Sequence, residues 1–119
     1  MAPTAVSEPT SAYKDAHVAV DFSIQAAFVD TRAMTLTRKE YELLATLAGN
    51  AGEIVPRDVL LQNIWGYSRE IRTRTLDVHI RRLRKKLEPY GEQYIETIFG
   101  VGYRFQPYRQ PRIVFSAVA

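Results

Sequence analysis

The spacing of hydrophobic and polar residues predicts strands in the first third of the chain. "HVAVDF" (17–22) alternates between apolar and polar residues, and the runs "QAAFVD" (25–30) and "AMTLT" (33–37) follow closely. Alternation of this kind is typical of strands with one buried face. We therefore expect three short antiparallel strands in a meander.

A helical period replaces this alternation in "LTRKEYELLATLAGN". Thr37 and Glu40 stand three residues apart just before the apolar series, which is the spacing of a capping box. Residues 49–52, with two glycines and an asparagine, end the predicted helix. The apolar face of this first helix is predicted to comprise Tyr41, Leu43, Leu44, Leu47 and Ala48.

A second helix is predicted in "EIVPRDVLLQNIWG". Pro56 suits its first turn and Gly66 suits its end. Residues 66–73 then form a loop. The apolar face of this helix is predicted to comprise Val59, Leu60, Leu61 and Ile64.

The segment "RTRTLDVHIRRLRKKLE" (72–88) predicts a third helix that ends at Pro89. It contains seven basic and two acidic residues, so its net positive charge exceeds the +3 of the whole chain. Leu76, Ile80, Leu83 and Leu87 fall on one narrow face, and the opposite face is cationic. The helix alone fits two interpretations equally, a solvated surface or a surface that meets nucleic acid.

The surrounding elements favour nucleic acid. A helix, a short loop and a basic helix follow one another in the order of a helix-turn-helix unit. "QYIETIFGVGYRFQ" (93–106) has two β-rich runs around Gly100 and Gly102, which predicts a hairpin directly after the basic helix. A helix of this kind fits the major groove of DNA, where arginine contacts guanine O6 and N7.

Composition narrows the remaining classes of protein. The chain of 119 residues has no cysteine and no apolar run of the roughly 20 residues that cross a bilayer. We find no set of catalytic or metal-binding residues, so we expect neither an enzyme nor a cofactor nor a metal site. Residues 1–16 read as a flexible tail or linker, and residues 107–119 as a C-terminal tail in which "RIVF" adds a strand or frays. A cytoplasmic location fits the absent cysteines.

Three segments resemble one family closely: "LTRKEYELLATLAGNAGEIVPRDVLLQNIWG", "RTLDVHIRRLRKKLEP" and "IETIFGVGYRF". They are similar to the winged-helix effector domain of OmpR/PhoB-type response regulators. The likeness covers residues 17–106 and implies an α+β fold: a winged helix-turn-helix with a four-stranded N-terminal antiparallel sheet, three helices and a C-terminal hairpin wing. It also implies a bacterial transcription regulator of a two-component phosphorelay that binds direct repeats in double-stranded DNA.

The resemblance also implies roles for single residues. It places recognition helix 72–88 in the major groove and wing 94–106 on the adjacent backbone and minor groove. Base contacts are expected from Arg82, Asp77 and Val78. Phosphate contacts are expected from Arg74, Thr75, His79, Arg81, Lys85, Trp65 and Tyr103. The wing turn is expected at Phe99, Gly100 and Gly102. A loop that contacts RNA polymerase is expected at Gly66, Tyr67, Ser68, Arg69 and Glu70.

The sequence departs from the family at two positions. Pro56 stands where the family commonly has Ser or Thr, so the second helix loses a side-chain N-cap. Phe99 stands where the family usually has an arginine that enters the minor groove. At the tip of a hairpin Phe99 offers apolar contact to sugars or a wedge between bases; the competing view is that it packs as a buried residue.

Partners follow from the same resemblance. Family members usually carry a receiver domain before this one, for which residues 1–16 are too short. The chain is therefore expected to be either an excised effector domain, whose full-length protein has a receiver domain or a sensor kinase as partner, or a stand-alone regulator. The isolated domain is expected to be monomeric off DNA and dimeric on it. The alternative function is a winged-helix module that binds an acidic protein, because the fold alone does not decide between the two.

Overall fold

The N-terminal part of the protein is a four-stranded antiparallel sheet. The computed structural model describes residues 11–108. The strands pair in chain order, so that each is joined to the next by a short turn. They are β1 (Ala12–Lys14), β2 (Val18–Asp21), β3 (Ala26–Val29) and β4 (Arg32–Ala33).

The first strand corrects the predicted tail. β1 lies within residues 1–16, yet it pairs with β2 in register, with Tyr13 opposite Val20. Its three residues are too few to show an alternating pattern, so the alternation predicted three strands where there are four, as the resemblance implied. The strand predicted at 33–37 overlaps the two-residue β4 only at Ala33, and residues 34–37 are not in a strand. The remainder of the predicted tails, residues 1–10 and 109–119 with "RIVF", lies outside the described residues.

Helix α1 (Arg38–Gly49) begins and ends as predicted. The Thr37 hydroxyl accepts from the Glu40 amide at 3.2 Å, and the Glu40 carboxylate accepts from the Thr37 amide at 2.9 Å, which completes the capping box. Its apolar face is buried: Leu43, Leu44 and Leu47 are inaccessible to solvent. Each such side chain contributes roughly 1.5–3 kcal/mol by leaving water.

The segment predicted as the second helix contains a strand and a helix. Strand β5 (Ile54–Pro56) precedes helix α2 (Arg57–Leu60), which continues as a π-helical turn, Leu61–Trp65. Pro56 is the N-cap rather than a first-turn residue, and it makes no side-chain capping bond. Gly66 ends the unit with a positive φ of 74°. Leu60, Leu61 and Ile64 are buried as predicted, whereas Val59 is exposed and its assignment to the apolar face was wrong.

The basic helix α3 spans Thr75–Lys86, which is shorter than the predicted 72–88. Residues 72–74 precede it as loop. A short helix α4 (Gly91–Tyr94) follows, then strands β6 (Ile95–Ile98) and β7 (Gly102–Phe105). Tyr94, predicted to begin the wing, belongs to α4 and is fully buried.

The hairpin β6–β7 is one part of a second sheet. β5 pairs with the other side of β7, so the sheet has three strands in the order β5-β7-β6. Sequence alternation did not predict β5, because its pairing partner lies about fifty residues away and its own run is three residues long. The sheet holds the start of α2 beside the hairpin, because Pro56 pairs with Gly102.

The hydrophobic core lies between α1, α3 and the two sheets. Leu76, Ile80 and Leu83 of α3 are buried, and Leu87 just after the helix completes the predicted stripe. Phe105 of the hairpin packs against Tyr13 of β1 with ring centroids 5.0 Å apart, so the two sheets share this core. Within the part of the chain that is described, no helix is long and apolar enough to cross a membrane.

Candidate nucleic-acid interface

Helix α3 presents its cations on the side away from the core. Arg81, Arg82 and Lys85 are exposed, and Arg74 is exposed directly before the first turn. Among residues 11–108 the structure shows no ion pair for any of these four. A helix face that carries several uncompensated positive charges attracts polyanions.

Two other cations of α3 have internal roles. The Arg84 guanidinium donates to the carbonyl of Ile95 at 2.7 Å and to the Thr97 hydroxyl at 2.7 Å, which ties α3 to the hairpin. The Lys86 ammonium donates to a Glu40 carboxylate oxygen at 2.6 Å and so ties α3 to α1. The positive charges of the helix therefore divide into those that hold it in place and those that face outward.

Glu40 is the one buried acidic residue in the described core, with 1% of its surface exposed. Burial raises the pKa of its carboxyl, but the bonds from Lys86 and the Thr37 amide outweigh burial and leave the pKa below its usual value. The residue that caps α1 thus also neutralises Lys86. Sequence reasoning found the cap and missed the ion pair, because the partners are 46 residues apart.

Asp77 is held from two sides. Arg57 Nη1 donates to Asp77 Oδ1 at 2.7 Å, and the Tyr103 hydroxyl donates to the same oxygen at 3.0 Å. Burial raises the pKa of Asp77. The two hydrogen bonds and the nearby guanidinium lower it by more, so the pKa lies below its usual value. The structure brings together two predicted contact residues, Asp77 and Tyr103, and joins them to Arg57, which sequence reasoning had not selected.

Trp65, Thr75 and His79 also come together, at the junction of the π-helical turn and α3. The ring centroids of Trp65 and His79 lie 4.9 Å apart in an edge-to-face arrangement. His79 Nδ1 donates to the Thr75 carbonyl at 2.8 Å, so Nε2 is left for an outside partner. All three side chains are half-buried.

The wing turn carries an exposed phenylalanine. Phe99 is 89% exposed, which rules out the alternative of a buried packing residue. Gly100 has a φ of 79°, a conformation that favours glycine. Gly102 has a different reason: a Cβ there would lie 2.1 Å from the Val55 carbonyl oxygen, so glycine lets β7 approach β5.

The loop between α2 and α3 is mostly exposed. Arg69, expected to contact RNA polymerase, pairs with Asp58 at 3.1 Å, while Ser68 and Glu70 are exposed and Tyr67 is half-buried. Val78 is half-buried on α3, beside Asp77. In residues 11–108 no cluster of His, Asp and Glu is arranged to hold a metal ion.

Comparison with known proteins points to one family. The family model for "Transcriptional regulatory protein, C terminal" matches residues 31–105. The transcriptional regulatory protein HprR of Escherichia coli K12 is 52% identical over 77 residues, which is 64% of this chain and 34% of that protein. The chain spans between 34% and 40% of the length of such curated relatives.

Solved structures point to the same family. The response regulator DrrB of Thermotoga maritima, an OmpR/PhoB homolog, superposes with a TM-score of 0.73 and 35% identity over 81% of this chain and 44% of its own. The RstA DNA-binding domain of Klebsiella pneumoniae, solved in complex with the RstA box, has a TM-score of 0.73 and 32% identity over 83% of this chain and 100% of its own. The chain therefore belongs to the family of C-terminal domains of transcriptional regulatory proteins, and its fold is the winged helix-turn-helix of OmpR/PhoB-type effector domains.

Proposed function

We propose that this domain binds double-stranded DNA sequence-specifically and is the effector domain of a bacterial two-component response regulator. The observation that carries the proposal is the outer face of α3, where four cations lack an ion-pair partner among residues 11–108. The solved RstA domain, which shares this fold, was crystallised with its own DNA box, and this supports the assignment.

In this proposal α3 lies in the major groove and the hairpin lies on the adjacent backbone and minor groove. Arg82 contacts a guanine, since its guanidinium is exposed and can donate to O6 and N7 together. Asp77 and Val78 touch neighbouring base edges. The phosphate contacts come from Arg74, Thr75, His79, Arg81, Lys85, Trp65 and Tyr103, and these fix the register on the duplex.

Trp65 fits phosphate contact through its indole N–H. The imidazole Nδ1–H of His79 is occupied by the Thr75 carbonyl, so Nε2 of the neutral ring is an acceptor, and it donates to a phosphate oxygen only in the doubly protonated imidazolium form. Tyr103 is a weaker phosphate donor, because its hydroxyl already donates to Asp77.

The partners of the full-length protein belong to the same proposal. We assign to it a receiver domain or sensor kinase, a cytoplasmic location, and direct-repeat promoter sites on which the domain, monomeric off DNA, pairs as a dimer. The loop of residues 66–70 is assigned to RNA polymerase. Its exposed Ser68 and Glu70 support a contact with another protein.

The decisive experiment is selection of bound duplexes from a random pool, which yields the preferred motif and the spacing of its repeats together. We expect enrichment of one motif present in two direct copies. Competition with nonspecific duplex at moderate salt is the control. If no motif is enriched, and an acidic protein competes better than DNA, the outer face of α3 serves protein interaction instead.

A further inference from the structure

Arg57 lies where four segments of the protein meet. Its Nη1 donates to Asp77 of α3 at 2.7 Å, and its Nη2 donates to the Thr73 carbonyl in the preceding loop at 2.8 Å. Its backbone amide donates to the Val101 carbonyl in the wing turn at 2.9 Å. One residue, the first of α2, therefore contacts α3, the loop before it and the wing.

Tyr103 completes this arrangement from the wing strand β7. Its hydroxyl donates to the Asp77 oxygen that Arg57 also contacts, at 3.0 Å. We call Arg57, Asp77 and Tyr103 the clamp. Arg57 and Tyr103 are 20 and 26 residues from Asp77, so the clamp joins elements that are distant in sequence, in addition to the bonds of Arg84 to the hairpin.

We propose that Arg57 is a positioning residue: through the clamp it fixes the wing relative to α3, so that both reach DNA as one rigid unit. The inference rests on the proposed DNA-binding function. Contacts to bases tolerate little displacement of the side chains that make them. A wing that moved independently of α3 would still meet phosphates, but it would no longer place α3 in one register.

The geometry requires arginine at this position. The planar guanidinium donates in two directions at once, to Asp77 and to Thr73, whereas a lysine ammonium at the end of a flexible stem does not reproduce this fork. The paired side chains are about two-fifths exposed, at 40% and 42%. Ion pairs so accessible to solvent add little to stability. The contact therefore sets orientation more than it holds the fold together.

The first test uses the full 119-residue chain without DNA. In Arg57→Lys we expect faster amide exchange in the wing turn and a changed orientation of the wing relative to α3, measured by residual dipolar couplings, in a domain that stays folded. Arg104→Lys is the matched control, because Arg104 pairs with Glu96 inside the hairpin at 3.0 Å. If Arg57→Lys leaves exchange and orientation as in the unmodified chain, the inference is wrong.

The second test compares the selected duplex with a scrambled one. We expect Arg57→Lys to weaken binding to the selected duplex about tenfold, the scale of a coupled contact, and binding to the scrambled duplex less than about twofold. Tyr103→Phe, which removes the hydroxyl from the clamp together with its assigned phosphate contact, should weaken binding to both duplexes, and to the selected duplex more than to the scrambled one. A parallel loss on both duplexes would make Arg57 a phosphate contact and overturn the positioning role.

The two tests distinguish a failure of the positioning role from a failure of the proposed function. If the unmodified chain prefers no duplex over another, the proposed function is wrong, and the measurements on the free chain still decide whether Arg57 orients the wing. If the unmodified chain is specific and Arg57→Lys keeps the same preference, the positioning role is wrong and the proposed function stands.

Discussion

At the scale of single residues, Arg81 and Arg82 are exposed neighbours on α3 with different assigned partners. Arg82→Ala should cost roughly 1–3 kcal/mol on the selected duplex and relax the preference at one base pair, because a bidentate contact to guanine is lost. Arg81→Ala should weaken binding to all sequences similarly, because a phosphate contact carries no base information. Fluorescence anisotropy on duplexes that differ at single base pairs measures both.

Lys14→Ala is the control for these two substitutions. It removes one positive charge from β1, in the N-terminal sheet, so it separates loss of net charge from loss of a contact on α3. If Arg81→Ala relaxes one base preference and Arg82→Ala weakens all duplexes alike, the assignment along α3 is displaced by one residue.

The exposure of Phe99 determines the expected effect of replacing it with arginine. Since 89% of it is accessible, Phe99→Arg should leave the melting temperature nearly unchanged. An arginine at the wing turn can enter a narrow minor groove, so affinity should rise and the salt slope should steepen by about one unit. Phe99→Gln, which adds no charge, is the control. A large fall in melting temperature without a gain in affinity would contradict this view of the wing.

At the scale of elements, the bond between Lys86 and Glu40 joins α3 to α1. Lys86→Met leaves the buried carboxylate without its cation, and we expect a loss of about 1–3 kcal/mol in the free energy of unfolding. Urea unfolding measures it. Lys85→Met is the matched control, because Lys85 is exposed and has no ion pair in the described range.

The same ion pair predicts a pH dependence. The folded pKa of Glu40 is lowered, so the stabilisation is present above the unfolded value of about 4.3 and is lost as pH falls through the folded value. The difference in stability between the unmodified chain and Lys86→Met should therefore be largest near neutral pH and should shrink in acid. A difference that stayed constant from neutral pH into acid would mean that Lys86 acts by packing alone.

Elements with a repeated local pattern were predictable from sequence. The faces of α1 and α3 were correct because apolar spacing of three and four residues leaves one solution for a helix. β1 and β5 were missed because strands of three residues show too little alternation, and their pairing depends on distant partners. Val59 was misplaced because it lies about 100° around the helix from Leu60, on the side away from Leu61 and Ile64, and so falls outside the buried face.

At the scale of the whole molecule, the outward-facing positive charge of α3 was predictable from sequence. The contacts that hold α3 in place were not. The excess of basic over acidic residues in 72–88 already indicated an uncompensated surface. Arg57, Arg84 and Lys86 act through partners that are 11 to 46 residues away. Contacts of that range depend on the packed fold, and no local spacing encodes them.

The whole charged surface predicts a salt dependence. Each neutralised phosphate should contribute about −0.9 to the slope of log K against log salt concentration. With about four to six contacts per monomer from the outer cations and the wing, we expect a slope of roughly −4 to −5 per monomer on a duplex. Arg84 and Lys86 are not counted among these phosphate contacts, because Arg84 binds the hairpin and Lys86 binds Glu40.

Titration at several salt concentrations tests that slope directly. Lys85→Met should reduce its magnitude by about one unit, because one outer cation is removed. Arg104→Gln should leave it nearly unchanged, because Arg104 is paired with Glu96 within the hairpin. Slopes near zero for all three proteins would mean that the outer face of α3 does not displace ions from DNA, and would favour an acidic protein as its partner.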